Sequence, residues 1–343
     1  MNLQASLKAP IYTDVSLKLY TTFKIGGCSK YFAEPRTRSE LLSALEFREE
    51  RGVPLLILGR GSNLLFSDAG YPGLVLSTRK LEIGQMTNLG RGRIRVPAGL
   101  GLIRLNLYCK DQGLSGAEFL CHIPGTVGGA VVMNAGFRRR GAPWHEMKDI
   151  IESVTVMSFG GTLRELTHRD IRFDYRKTNL GGEDIITEVT LHLESAERQK
   201  IDDEIKANFS YRNSVQDLRY PSAGSVFKNP VGSSLTAQDA PSLPGASGAV
   251  PARGMKPRAG GRAKQGPLTS GQMLERVRMK GMRVGDAMVS TKHANFILNV
   301  GQAKSSDVLE LMSIAKKRVL EQFGIELEPE IRYVPSEIDE TVN

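Results

Sequence analysis

The chain has 343 residues, 40% of them hydrophobic and 24% charged, with 46 Lys+Arg against 37 Asp+Glu for a net charge of +9. At roughly 100–200 residues per domain that length predicts two or three domains, and the charge predicts anionic partners. No apolar run approaches the ~18–20 residues of a membrane span, the first residues lack the apolar stretch of a signal peptide, and the three cysteines and five histidines form no CxxC, HExxH or Cys/His cluster, which excludes a disulfide scaffold and a zinc centre and points to a reducing cytoplasm.

In chain order, residues 37–51 (TRSELLSALEFREER) set Leu41, Leu42, Leu45 and Phe47 among charges and predict an amphipathic helix. VPLLILG (53–59) predicts a strand, closed by the turn Gly59-Arg60-Gly61-Ser62-Asn63, and the strands LLFSD and GLVLS follow. RIRVP (93–97) alternates as a strand, and 101–112 reads as a helix through Leu102, Leu105 and Leu107. Strands are predicted over 151–158 and 185–194, and a helix over 197–209. The clearest helix spans 305–323, with Ser306 as its N-cap and Gly324 as its C-cap. Short strands among isolated helices predict an α+β fold rather than βαβ repeats.

Glycine is the compositional outlier: 36 of 343 residues, against an average near ~7%. Residues 231–267 hold 7 Gly, 5 Pro and 7 Ala, no aromatic residue and a net charge of +4. That composition buries too little apolar surface to offset chain entropy, so a disordered insertion is predicted, with a basic nucleic-acid-binding arm as the alternative. The GRGSN loop (59–63) is either a pyrophosphate cradle, in which Ser62 and Asn63 add donors to glycine N–H groups, or a plain β-turn. It is neither a Walker A loop nor a GxGxxG fingerprint. In IPGTVGGAVVMNAG (123–136), Pro124, Gly125, Gly128 and Gly129 leave either a bare surface for a flat ring or a diphosphate, with Asn134 as a polar contact, or a tight helix–sheet packing. Ser225 in PSAGSVFKNP (221–230) is either a turn residue or a proton donor. Taken alone, Arg176 in YRKT reads as a surface cation, and the alternating Glu328, Glu330 and Arg332 of LEPEIR as an exposed, salt-bridged strand.

The order of the blocks carries more than any one of them. YTTFKIGG, LGRGSNLLFSD, GLSGAEFLCHIPGTVGGAVVMNAG, FDYRKT, YPSAGSVFKNP, VSTKHANFILN and FGIELEPEIR, in that succession, resemble the UDP-N-acetylenolpyruvoylglucosamine reductase (UDP-N-acetylmuramate dehydrogenase) family over residues 17–335 apart from the insertion, and its shorter-loop subclass. The resemblance implies three domains. FAD-binding subdomain 1 would span 1–78, joined by a C-terminal strand in 326–343. FAD-binding subdomain 2 would span 79–196, both being of the vanillyl-alcohol-oxidase type. An α+β substrate-binding domain would span 197–325.

It also implies bound FAD and NADPH as co-substrate. Gly59, Gly61, Ser62 and Asn63 would meet the FAD diphosphate. Pro124, Gly125, Gly128, Gly129, Ala130 and Asn134 would line the flavin and ribityl, Arg212 would meet a cofactor phosphate, and Arg332 the isoalloxazine. Asn229, Lys280 and His293 match positions contacting the uridine diphosphate. In the implied reaction a hydride passes from FAD N5 to the methylene carbon of an enolpyruvyl ether. Arg176 and a partly protonated Glu330 hold its carboxylate, and Ser225 protonates the neighbouring carbon, giving UDP-N-acetylmuramate for peptidoglycan synthesis. The expected partner is the small nucleotide sugar, with neither nucleic acid nor membrane, and the expected state is a cytoplasmic monomer. The alternative is another FAD-dependent oxidoreductase of the same fold. Arg60 departs from a frequent family Gly, Asp217 from a frequent Pro, and LTSGQMLERVRMKG (268–281) from the family's AG-x-LI helix.

Overall fold

The computed structural model describes residues 8–230, apart from 82 and 183, and residues 267–337. The predicted insertion 231–267 lies outside the described residues except for Pro267, as do residues 338–343 of the predicted C-terminal segment.

The first unit begins with strand β1 (Ile11–Ser16), antiparallel to β2 (Cys28–Ala33). Helix α1 (Arg38–Arg51) then leads to β3 (Leu55–Leu58), the short β4 (Leu64–Phe66), and β5 (Tyr71–Ser77), which lies parallel between β2 and β3. The sequence sets the ends of α1 as well as its face. The Thr37 hydroxyl accepts from the Glu40 N–H, Gly52 closes the helix in the left-handed conformation, and Leu41, Ala44 and Leu45 are buried.

The second unit is an antiparallel sheet of β6 (Thr87–Gly90), β7 (Arg93–Pro97), β8 (Ile151–Ser158), β9 (Leu163–Thr167) and β10 (Asp184–His192). Its order is β9-β8-β10-β7-β6. Helices α2 (Leu102–Gln112) and α3 (Val127–Val132) share its core of Leu105, Val131, Val154 and Val189. Helix α4 (Arg198–Val215) follows. The third unit sets α5 (Ser270–Arg276) and α6 (Ser305–Phe323) with a small sheet of β11 (Arg283–Val284), β12 (Ala287–Val289) and β13 (Ile297–Asn299). Its core includes Phe227, Met273, Val308, Leu311 and Val319, together with Phe23 and Ile25 from the first unit. The last strand, β14 (Arg332–Val334), returns to pair in parallel with β4.

Several local expectations narrow or change. Helix α3 forms inside the glycine-rich stretch, as the helix–sheet packing reading of that stretch implied, because Thr126 caps it and Val127, Ala130 and Val131 are buried. Helix α4 runs to Val215 rather than 209, which puts Arg212 in its last turn. It docks on the second unit: Lys110 pairs with Asp202 (3.2 Å), Arg139 with Glu204 (2.9 Å), and Asn208 Nδ2 donates to the Glu118 carbonyl (3.3 Å). The core of the third unit therefore takes up the chain again at Ala223, not at the predicted boundary of 197. Helix α6 begins at Ser305, and Ser306 lies inside its first turn rather than at the N-cap. The N–H groups of Ser305 and Ser306 donate instead to the Asp68 carboxylate (2.8 and 3.2 Å) of the first unit, a cap that no local sequence pattern announces.

Candidate active site

A cavity of about 380 Å³ opens where the three units meet. One wall is the pair of glycine loops. Gly61 has φ +60°, and a Cβ there would stand 2.5 Å from the Tyr20 carbonyl oxygen. A Cβ on Gly59 would stand 2.7 Å from Thr126 Oγ1, and one on Gly128 3.0 Å from Ala98 Cβ. The missing side chains thus face protein and let the two loops approach each other and the sheet. The same backbone lines the cavity, so tight packing and a bare ligand-facing surface are both present here.

The lining also holds titratable groups. Phe173–Asp174 pairs with Lys177–Thr178, and Tyr175 and Arg176 form the turn between them, Arg176 at φ +59°. Arg176 is therefore a turn residue, and its side chain is 14% exposed rather than the surface cation it reads as alone. Its Nε donates to Glu330 Oε1 (2.8 Å) and its Nη2 to the Gly136 carbonyl (3.1 Å). Glu330 is fixed through its backbone: its N–H donates to the Val226 carbonyl (2.8 Å), and its own carbonyl accepts from Asn63 Nδ2 (3.0 Å). Burial pushes the Glu330 carboxyl above the usual carboxylate range, with the charges of Arg176 and Lys228 acting against it. The bonds Val226 to Glu330 and Lys228 to Glu328 run the segment after Ser225 alongside LEPEIR, which brings Ser225 and Glu330 to one cavity.

Helix α4 contributes Arg212, whose Nη1 donates to the His122 carbonyl and whose burial lowers its pKa to about 10. Burial, helped by Arg212, takes the adjacent His122 imidazole down to about 3, so this cavity-lining ring is neutral at physiological pH.

The structure brings together Ser225, Arg176 and Glu330 with Gly59, Gly61, Ser62, Asn63, Pro124, Gly125, Gly128, Gly129, Ala130, Arg212 and Arg332. Four predicted residues do not line the cavity. Asn134 is buried at φ +38°. Its Nδ2 donates to the Asp174 carbonyl (3.2 Å) and its Oδ1 accepts from the Lys148 N–H (3.1 Å), so its amide pins the Arg176 turn. Asn229 Oδ1 accepts from the Ser270 N–H (3.1 Å) at the start of α5. Lys280 pairs with Glu275 (2.6 Å), and His293 Nδ1 accepts from the Asn295 N–H (3.2 Å). Asn63 also changes role, since its amide donor holds the Glu330 carbonyl rather than pointing free into the cavity.

Other residues lining the cavity or next to its lining went unpredicted. Asn295 holds Phe227 from both sides, its Oδ1 accepting from the Phe227 N–H and its Nδ2 donating to the carbonyl (2.9 and 2.8 Å). Arg60, noted only as a departure, lines the cavity with Thr126, His122 and Gln216. Of these only Thr126 carried a local signal, a hydroxyl three residues before Gly129.

Three buried polar atoms on residues lining the cavity have no protein partner among the described residues: Arg176 Nη1, Arg212 Nε and Gln216 Oε1. Buried donors on two arginines call for acceptors from a ligand. A glycine-walled cleft with such donors fits a dinucleotide flavin, whose diphosphate and ring carbonyls are acceptors and whose ring imide and ribityl hydroxyls are donors.

Comparison with known proteins agrees with that chemistry. A family model described as FAD binding domain matches residues 29–167, and one described as UDP-N-acetylenolpyruvoylglucosamine reductase, C-terminal domain, matches 216–334. A reductase of that name from Moorella thermoacetica is 40% identical over 329 residues, 96% of this chain and 95% of the relative. One from Pelobacter propionicus is 33% identical over 98% of this chain and all of its own length. The crystal structure of the Thermus caldophilus UDP-N-acetylenolpyruvylglucosamine reductase superposes with a TM-score of 0.71 at 33% identity, covering 96% of this chain and 99% of that one.

Proposed function

The chain belongs to the UDP-N-acetylenolpyruvoylglucosamine reductase family, and on that premise we propose how its own residues carry the reaction. It is an FAD-dependent oxidoreductase that reduces the enolpyruvyl group of UDP-N-acetylenolpyruvoylglucosamine in peptidoglycan-precursor synthesis. NADPH is the reductant, and the enzyme works as a cytoplasmic monomer.

Bound FAD supplies the two-electron carrier between NADPH and the substrate. Gly59, Gly61, Ser62, Pro124, Gly125, Gly128, Gly129 and Ala130 hold it, with Arg212, Gln216 and Arg332 completing its polar contacts. The substrate double bond gains a hydride equivalent at its methylene carbon and a proton at the neighbouring carbon. Between those events negative charge spreads into the substrate carboxylate. Arg176 Nη1, which has no protein partner, donates to that carboxylate. Glu330, whose burial favours its protonated form, donates a second hydrogen bond where a carboxylate would repel. Both contacts strengthen as the charge develops, which is what lowers the barrier. The Ser225 hydroxyl then delivers the proton to carbon, because the carbanion is a far stronger base than an alkoxide.

The observation that carries this reading is the part-buried Arg176–Glu330 pair at 2.8 Å, in one cavity with Ser225. Anaerobic mixing of the wild type and Ser225→Ala, first with NADPH and then with the enolpyruvyl nucleotide sugar, tests it. Flavin reduction should be equal in both, and flavin reoxidation by substrate should fall about 10²–10⁴-fold in the variant. Equal reoxidation rates would remove Ser225 from the mechanism.

A further inference from the structure

Trp144, the only tryptophan of the chain, ends the loop of a hairpin in which His145–Glu146 pairs with Gly136–Phe137. Gly136 and Phe137 both line the cavity. The Trp144 ring lies 5.4 Å from the guanidinium carbon of Arg176, and the Tyr175 ring lies 5.2 Å from it. Gly136 lets the paired strand approach, since a Cβ there would stand 2.7 Å from both Glu146 Cγ and the His145 carbonyl oxygen, and the Trp144 ring also comes close, its Cζ2 at 3.3 Å. The same glycine supplies the carbonyl that accepts from Arg176 Nη2 (3.1 Å).

Arg176 leaves a tight turn with its backbone in the left-handed region, and a long side chain there has several rotamers to lose. Aromatic faces attract a guanidinium without taking any of its N–H groups. Here Nε and Nη2 are bonded to protein and Nη1 is not. We propose that Trp144 is a positioning residue, which with Tyr175 clamps the Arg176 guanidinium so that Nη1 is presented to the substrate carboxylate. The inference rests on the function proposed above and adds a residue that contacts the substrate only through Arg176.

Trp144→Leu keeps the bulk and removes the aromatic face. It should lower kcat/KM for the enolpyruvyl nucleotide sugar about five- to thirty-fold, the worth of a partly desolvated cation–π contact, chiefly through KM. Flavin reduction by NADPH should be unchanged, and Trp144→Phe should retain most of the wild-type value. In an Arg176→Ala background the same Trp144→Leu change should cost nothing more, because no cation remains to be clamped. Full activity of Trp144→Leu, equal losses in both half-reactions, or an equal loss in both backgrounds would overturn the clamp. A substrate-free measurement separates it from the function itself. In holoenzyme carrying nitrogen-labelled arginine, the Arg176 Nε–H resonance should move on Trp144→Leu as the ring current is lost. A resonance that stays in place sinks the clamp whatever the enzyme reduces. A resonance that moves, in a wild type that does not reduce the enolpyruvyl sugar, sinks the function and leaves the clamp standing.

Discussion

Two Arg–Glu pairs in this molecule have the same partners and opposite behaviour. Arg93 and Glu152 reach toward each other from β7 and β8 of the five-stranded sheet, with side chains 43% and 33% exposed. Arg176 and Glu330 meet at the cavity, 14% and 13% exposed. The hydrogen bond from Arg93 holds the Glu152 carboxyl below the usual carboxylate range. Burial pushes Glu330 above it even though its arginine donates at 2.8 Å. Solvation therefore sets the direction: the exposed pair holds its carboxyl ionised more firmly than a free one, and the cavity pair makes ionisation of its carboxyl harder. On the proposed mechanism it is this second pair that donates two hydrogen bonds to the substrate carboxylate.

The strongest way to break the contrast is to delete each arginine. Arg176→Ala should lower kcat/KM with the enolpyruvyl sugar about 10²–10³-fold, as for the loss of one donor to a developing oxyanion. It should also push the Glu330 carboxyl still higher, because the charge that opposes burial is gone. Steady-state kinetics across pH would register both, and an unchanged profile would separate Arg176 from Glu330.

A sharper test uses pH. On the proposed mechanism Glu330 works in its protonated form, so kcat/KM should fall as pH rises through its raised pKa, and Glu330→Gln should flatten that limb. Stability should follow the same sign. The folded state holds this proton more tightly than the unfolded one, so the contribution of Glu330 is full below its unfolded pKa and is lost as pH rises through the folded value. Glu152 runs the other way. Its contribution is present above its unfolded pKa and is lost as pH falls through its lowered folded value. In thermal melts across pH, Glu330→Gln should gain on the wild type toward alkaline pH. Glu152→Gln should lose against the wild type at neutral pH and converge with it in acid. Parallel trends in the two variants would show that burial is not what separates the pairs.

The smallest effect belongs to Arg93→Ala. An exposed pair contributes little, so kcat/KM should be unchanged and Tm should move only slightly. A large loss of activity would mean that the sheet pair is coupled to the cavity.

Much of the frame was legible residue by residue. RIRVP became β7 and residues 151–158 became β8 at the predicted bounds, and α6 spans the predicted 305–323. Their alternation or helical stripe is strong, and Gly324 stops the helix in the left-handed conformation. Helix α3 was legible only as one of two readings because its two glycines mask its propensity, and burial of its valines outweighs that cost. The order of the seven blocks named residues most of which line one cavity, Asn134, Asn229, Lys280 and His293 excepted, but what each of them touches was not legible. Asn63 and Asn134 were expected at the cofactor; Asn63 lines the cavity, but its amide also donates to the Glu330 carbonyl, and the Asn134 amide donates to the Asp174 carbonyl away from the cavity lining. Trp144 carried no signal, because its partner is 32 positions away in the sequence.

The sequence by itself determined the α+β class, the family, the two glycine loops and which residue types the chemistry needs. Each of these is set by neighbours in the chain: glycines that admit close approach, periodic apolar residues, hydroxyl caps. The tertiary structure alone decided the state of the groups that act. Arg176 meets Glu330 across 154 positions, β14 returns to β4, and Ser225 reaches the same cavity because the segment after it lies along residues 328–330. A carboxyl group's pKa depends on the water it loses and the charges that face it, and both are fixed only when distant segments close around it.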